Sequence, residues 1–294
     1  MKACAFVPGH VTGFFEIHDE AKDIRQRGSR GAGICLSKGV FTMVEVAESN
    51  QKSIEIFLNE EKEKAPVTRY VVEKIIENKT YEVKVSSTFE LPQGQGFGIS
   101  GAGALSSSLA LSKALDLELT IDEIICIAHQ AEIACHTGLG DVMPQSIGGV
   151  VTREREGCHP FGKIKNIDIA DVEVVLCIIG GPLATGDIIT NVEHKKRINK
   201  FGEKCLQKLI KNPNLQDILK LSYRFSKGTG LMSKDVENAI LAADKYGMAS
   251  MAMIGNSLFA IGDTDDLVNI LCEYGEVHIC RIDKRGMRIV EDEE

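Results

Sequence analysis

The sequence predicts an α+β protein of two domains, and three observations carry that expectation. Segments with strand character, set apart by Gly and Ser, run through the first 57 residues and recur at 81–92. Two strongly apolar helical runs follow, at about 102–115 and at 121–136. Beyond residue 170 the order strand, helices, hairpin, helix, strand suggests an α+β sandwich. With 294 residues, 44% of them hydrophobic and 26% charged, the chain is long enough to bury a core in each domain.

In chain order, ACAFV at 3–7, ICL at 34–36, FTMVEV at 41–46 and SIEIF at 53–57 read as short strands of a mostly antiparallel sheet. The charged turn NEEKEK at 59–64 leads to a helix with Val71, Val72, Ile75 and Ile76 on one face, and YEVKVSSTFELP at 81–92 alternates as a half-exposed strand. Thr120 and Glu123 have the spacing of a capping box opening IDEIICIAHQAEIACH, a helix apolar on nearly every side and therefore expected at the centre. In the second half VEVVLCIIGG at 172–181 reads as a buried strand, and polar helical patterns cover 186–246. MASMAMIGNSLFAIGD then joins two apolar runs through Gly255 and Asn256, a dipeptide suited to a tight hairpin turn. The helical DDLVNILCEYG and the strands EVHICRI and MRIV close the chain, and EREGCHPFGKIKN has the Gly, Pro and charge content of a linker between domains 1–160 and 161–294.

Composition excludes several functions. A net charge of −8 disfavours a nucleic-acid backbone or an anionic membrane surface as partner. The apolar run VVLCII at 174–179 is far shorter than the roughly 18 residues of a membrane span, and MKACAFVPGH lacks a signal-peptide apolar region, so the expected location is the cytoplasm. Nine cysteines, an odd number without a Cys-x-x-Cys pair, are expected as reduced thiols.

The stretch LPQGQGFGISGAG at 91–103 holds five glycines and runs directly into an apolar helix. Gly96, Gly98 and Gly101 spell a dinucleotide fingerprint, with Asp122 about twenty residues on, but the preceding strand alternates, Pro92 intervenes, and Asp122 sits at a helix N-terminus instead of a strand end. A Walker loop lacks its Gly-Lys-Ser/Thr, and the protein-kinase signatures are absent. Glycines let a backbone approach an anion closely, and the helix behind them offers free N–H groups and a positive dipole end. Residues 93–100 would then wrap a nucleotide's phosphates, with the Ser100 hydroxyl in reach of them or of a bound cation. Glu132 is the one acidic side chain inside a helix of Ile, Ala and Cys, with His129 and His136 expected on its face. Zinc on Cys126, His129, Cys135 or His136 has no recognised ligand spacing.

PQGQGFGISGA at 92–102 resembles the second motif of the GHMP kinases (galactokinase, homoserine kinase, mevalonate kinase, phosphomevalonate kinase), Pro-x-x-x-Gly-Leu-Gly-Ser-Ser-Ala-Ala. Phe97 stands for Leu, Ile99 for the first Ser and Gly101 for the first Ala; PGHVTGFF at 8–15 looks like the first motif. The resemblance implies an N-terminal mixed or antiparallel sheet with helices and a C-terminal ferredoxin-like sandwich. It implies ATP contacts at Pro92, Gly94, Gly96, Phe97, Gly98, Ile99, Ser100, Gly101 and Ala102. AEIACHTGLGDVMPQSIGG at 131–149 resembles the segment supplying a magnesium-binding Glu and a catalytic Asp, which the match places at Glu132 and Asp141. Phosphoryl transfer needs a hard cation held by oxygen ligands, for which Glu132 and Ser100 are suited, and a carboxylate, Asp141, to orient the acceptor hydroxyl and take its proton.

The third family motif departs here, since MAMIGNSLFA keeps one glycine and puts Met253 at a position where a polar residue is expected. With GAGICLSKGV at 31–40, GDVMPQSIGGVVTRE at 140–154 and GGPLATGDIITN at 180–191, the chain looks like the archaeal pantoate kinase branch of the family. That branch implies ATP-dependent phosphorylation of the primary hydroxyl of pantoate, towards coenzyme A. A small carboxylate needs a cationic fork and hydroxyl donors: Arg153 is the best-placed cation, Arg30 and His10 are further candidates, and Thr185 and Ser29 offer hydroxyls. The expected partners are ATP, pantoate and Mg2+; a homodimer is compatible with the chain, whose sequence does not disclose its oligomeric state. Two alternatives stay open: a kinase for another acceptor (homoserine, mevalonate, shikimate), or a nucleotide-binding module without catalysis, against which the presence of both acids weighs.

Overall fold

The computed structural model describes residues 1–291 and arranges them as two sheets with helices packed on and between them. The first two strands are far longer than the short segments expected. β1 (Lys2–His18) and β2 (Gly28–Glu48) form one bent antiparallel ribbon, with register shifts at Pro8/Gly9 and Thr12/Phe14. The glycines that read as interruptions lie inside these strands, at bulges and close crossings where a side chain would not fit. β3 (Ser53–Leu58) pairs parallel with β5 (Tyr81–Phe89) and antiparallel with the short β4 (Glu61–Lys62). α1 (Pro66–Ile76) buries Val67, Val71, Val72 and Ile76, as its apolar face predicts.

α2 (Ile99–Ala114) starts directly at the glycine stretch, three residues earlier than expected, and is buried along almost its whole length between the first sheet and the helices α1 and α3 (Ile121–Ala134). It is α2, more than α3, that is enclosed on all sides. The Thr120–Glu123 capping box forms as expected, with Thr120 N–H donating to Glu123 at 2.8 Å. α3 ends at Ala134, so exposed His136 lies past the helix and does not share the face of His129 and Glu132. α4 (Val142–Ile147) leads through Gly148 and Gly149 into β6 (Val150–Arg155) and β7 (Lys163–Ile167), which extend the first sheet beside β2.

The second sheet is built on β8 (Glu173–Ile178). Between it and the hairpin come α5 (Thr185–Ile189), α6 (Val192–Lys211), α7 (Leu215–Thr229) and α8 (Lys234–Ala243), followed by β9 (Gly247–Met251), β10 (Ser257–Gly262), α9 (Thr264–Leu271) and β11 (Glu276–Arg281). Its order β11-β8-β10-β9, antiparallel throughout, is that of a ferredoxin-like sheet. The β9–β10 connection is a longer loop than the two-residue turn expected of Gly255 and Asn256, closed by Ala252 N–H on the Ser257 carbonyl at 3.1 Å. β12 (Arg288–Val290) returns to pair with β1 in the first sheet.

Cysteine pairing is a second correction. Cys126 on α3 and Cys158 in the loop after β6 form a disulfide with Cα atoms 5.5 Å apart, in place of the reduced thiols expected. Their 32-residue separation carries no sequence signal, and only the fold brings them together. Among the described residues no helix is long and apolar enough to cross a membrane.

Candidate active site

The glycine stretch, the end of α3 and the two long strands converge on one cavity. Its floor is the glycine stretch: Pro92, Gly94, Gly96, Phe97, Gly98, Ile99 and Ser100 all line it, while Gly101 and fully buried Ala102 sit behind. Gly98 caps α2 in the left-handed region (φ 64°), and the first-turn amides of Ile99, Ser100 and Gly101 have no partner within the helix, at the end of α2 that Gly98, Ile99 and Ser100 bring to the cavity. No acidic side chain occupies that first turn.

Glu132 and Asp141 both stand close to Gly138. A Cβ at Gly138 would collide with Glu132 Oε2 and lie 3.9 Å from Asp141 Oδ2, so only glycine leaves the space between the acids open. Glu132 Oε1 accepts hydrogen bonds from Ser100 Oγ at 2.5 Å and Thr137 Oγ1 at 2.6 Å. Burial dominates its titration and pushes the carboxyl up to about 7, with Ser100 and Thr137 opposing and Asp141 adding a like charge. No cationic side chain compensates it among the described residues.

Asp141, N-cap of α4, is held from β1. His10 Nδ1 donates to its Oδ1 at 2.7 Å and Thr12 Oγ1 donates to the same oxygen at 3.2 Å, two side chains that share one strand face by their i, i+2 spacing. Burial lowers the pKa of His10 against the opposing pull of Asp141, and its Nε2 is buried without a partner against Gly33, so the proton shared with Asp141 sits on Nδ1. Burial alone would raise Asp141, but the His10 and Thr12 hydrogen bonds and the nearby Arg153 charge hold it below the ordinary carboxylate value.

Arg153 on β6 is 2% exposed and lines the cavity beside Thr12. Among the described residues its side chain makes one hydrogen bond, from Nη2 to Thr12 Oγ1 at 3.4 Å, and Nε and Nη1 are buried with no partner. Burial lowers its pKa, but a guanidinium stays charged, and an unpaired buried cation is costly until an anion meets it.

Of the other acceptor contacts expected, Ser29 and Thr185 line the same cavity. His10 does not, being fully buried behind Asp141, and Arg30 is spent on Glu156 at 2.6 Å. His129 is buried and its Nε2 donates to the Arg27 carbonyl at 2.9 Å, and no cluster of three His, Cys, Asp or Glu suited to a metal occurs among the described residues. Thr12 and Thr137 carry no sequence signal of their own, although Thr12 lies within the PGHVTGFF segment. Met253 and Ile254, from the β9–β10 loop, close the cavity with Phe15 and Ile189. A second hollow of about 700 Å3 shares Pro92, Ile99, Ser100 and Thr137 with it and continues to Asn59, Ala65, Pro66 and Phe89.

Known proteins resemble this chain in sequence and in fold. A family model described as GHMP kinases N terminal domain matches residues 65–149. The chain is 37% identical to the pantoate kinase of Methanocaldococcus jannaschii over 94% of this chain and 99% of that one. It is 35% identical to the pantoate kinase of Thermococcus kodakarensis over 87% and 86%. A solved structure described as a phosphotransferase related to the CoA biosynthesis pathway superposes with a TM-score of 0.91 at 29% identity, covering 100% of both chains.

Proposed function

The chain belongs to the GHMP kinases, among the pantoate kinases, and on that premise we propose that it transfers the γ-phosphoryl group of ATP to the primary hydroxyl of pantoate, giving 4-phosphopantoate and ADP. The observation that carries the choice of a hydroxy acid is Arg153: a buried guanidinium with two unpaired nitrogens, beside the acid that would receive the hydroxyl proton, is a seat for a carboxylate. Ser29 and Thr185 supply hydroxyls for the same end of the acceptor, and Phe15, Ile189 and Met253 face its apolar part.

The second hollow has room for the nucleoside, and the triphosphate then runs over the glycine stretch to the N-terminus of α2. Glu132 and Ser100 would hold a magnesium ion: a buried carboxylate with no cation beside it among the described residues, and a hydroxyl touching it. Bound there, such an ion would offset the negative charge of the phosphates. Asp141 accepts a hydrogen bond from the acceptor hydroxyl and aims it at phosphorus; as the new O–P bond forms and the bond to the ADP oxygen breaks, the hydroxyl proton passes to Asp141. Its lowered pKa makes it a weak base, which suits a loose transition state in which the proton leaves late. In this reading residues 1–160 hold the nucleotide and metal ligands, and 161–294 supply Thr185, Met253 and Ile254.

An ADP-release assay over a panel of hydroxy acids, homoserine and sugars, with and without Mg2+, tests the proposal. Pantoate should give the highest kcat/KM and require the cation; a different best acceptor, or silence across the panel, would overturn it.

A further inference from the structure

Gly101 lies inside α2 where the family pattern has Ala, and its backbone is ordinary helix, so the conformation does not demand a glycine that a helix disfavours. The neighbour that demands it is Gln145. A Cβ at 101 would stand 2.9 Å from Gln145 Oε1, and a Cβ at 98 would stand 2.9 Å from its Nε2. Gln145 is fully buried on α4, one turn beyond Asp141, and its N–H bonds the Asp141 carbonyl at 3.1 Å. Its Nε2 donates to the Gly98 carbonyl at 2.7 Å, while Oε1 is buried with no partner. It does not line the cavity.

We propose that Gln145 is a positioning residue: its side-chain amide, lying against Gly98 and Gly101, fixes the N-terminus of α2 relative to Asp141, and Gly101 is glycine to admit it. The amide ties the helix end that faces the phosphates to the turn that carries the base, as the His10 N–H does from the other side by bonding the Phe97 carbonyl at 2.8 Å. The inference rests on the kinase reading for its effect on rate, and on packing alone for its effect on stability.

The test is a double-mutant cycle of Gln145→Leu and Gly101→Ala, read by kinetics and by thermal melting. Gln145→Leu, similar in bulk but without the donor, should lower kcat about 10–30-fold with both KM values within about 3-fold, because alignment in the ternary complex is lost and not binding of either substrate. Gly101→Ala should lower kcat by a comparable factor in the wild-type background, and add nothing in the Gln145→Leu background. In melting, Gly101→Ala should lower Tm in the wild type and raise it in the Gln145→Leu background, where the helix propensity of Ala is gained and the other neighbours, Val142 Cγ2 at 3.4 Å and Asp141 Cβ at 3.5 Å, are in ordinary contact. Wild-type kcat in Gln145→Leu, a loss that follows Tm with both KM values raised, or independent effects of the two substitutions would each overturn the assignment. The melting arm needs no turnover, so failure of the kinase reading and failure of this one are separable.

Discussion

Replacing Glu132 with Gln should stabilise the protein in the absence of divalent cation, and only above mildly acidic pH. Burial raises the Glu132 carboxyl from 4.5 to about 7, while an unfolded chain ionises it near the lower value. Below about pH 4.5 both states carry the proton and the residue contributes no pH dependence. Between there and about pH 7 the unfolded state ionises first, so stability falls as pH rises; above pH 7 the whole cost is present. At 1.36 kcal/mol per pH unit the shift corresponds to at most about 3 kcal/mol, and Gln keeps the oxygen that accepts from Ser100 and Thr137. For a chain of this size about 3 kcal/mol is on the order of 5 °C in Tm. Calorimetry with EDTA at pH 5 and pH 8 gives the answer: Glu132→Gln should melt higher than wild type at pH 8, with the difference largely gone at pH 5. With Mg2+ and ATP the order should reverse, because an amide is a poorer ligand for a hard cation. A difference that is the same at both pH values, or a variant less stable than wild type at pH 8 in EDTA, would refute the argument that a buried, uncompensated carboxylate waits there for a cation.

Three further outcomes follow from the same geometry. Arg153→Ala should raise KM for the hydroxy acid about 10–100-fold and leave KM for ATP within about 3-fold, the worth of a charged, two-pronged hydrogen bond; steady-state kinetics with each substrate varied separates the two. His10→Ala should lower kcat roughly 10–100-fold and move the acidic limb of the kcat–pH profile upward, since Asp141 loses a donor that holds its pKa down. His10→Asn, whose amide nitrogen can stand near the Nδ1 position, should recover most of both. Asp141→Asn should abolish turnover while nucleotide binding, followed by calorimetric titration, stays close to wild type.

The parts of the site that sequence alone made legible are local in the chain. The glycine stretch opening a helix, the capping box at Thr120 and Glu123, and the alternation of 81–92 each depend on neighbours a few residues apart; the first two form as expected, and the third forms a strand that ends at Phe89. Arg153, Ser29 and Thr185 were reachable because an acid substrate demands their chemistry, and the structure brings all three to one cavity. What was not legible is set by distant contacts. The extent of β1 and β2 was hidden because their glycines read as turns, whereas pairing over nearly their full length makes them bulges within strands. His10 was expected at the substrate and is instead behind Asp141, 131 residues away in sequence, as only the β1–α4 juxtaposition reveals. Gln145 carried no signal of its own until its amide was seen against two glycines of another helix. The Cys126–Cys158 pair and the return of β12 to β1 are likewise products of topology.

The most direct measurement is a crystal structure with a non-hydrolysable ATP analogue, Mg2+ and pantoate. The triphosphate should lie across residues 93–100, the metal on Glu132 and Ser100, the acid's carboxylate on Arg153, and its primary hydroxyl between Asp141 and the terminal phosphorus. A nucleotide seated elsewhere, with that phosphorus remote from both Glu132 and Asp141, would contradict it.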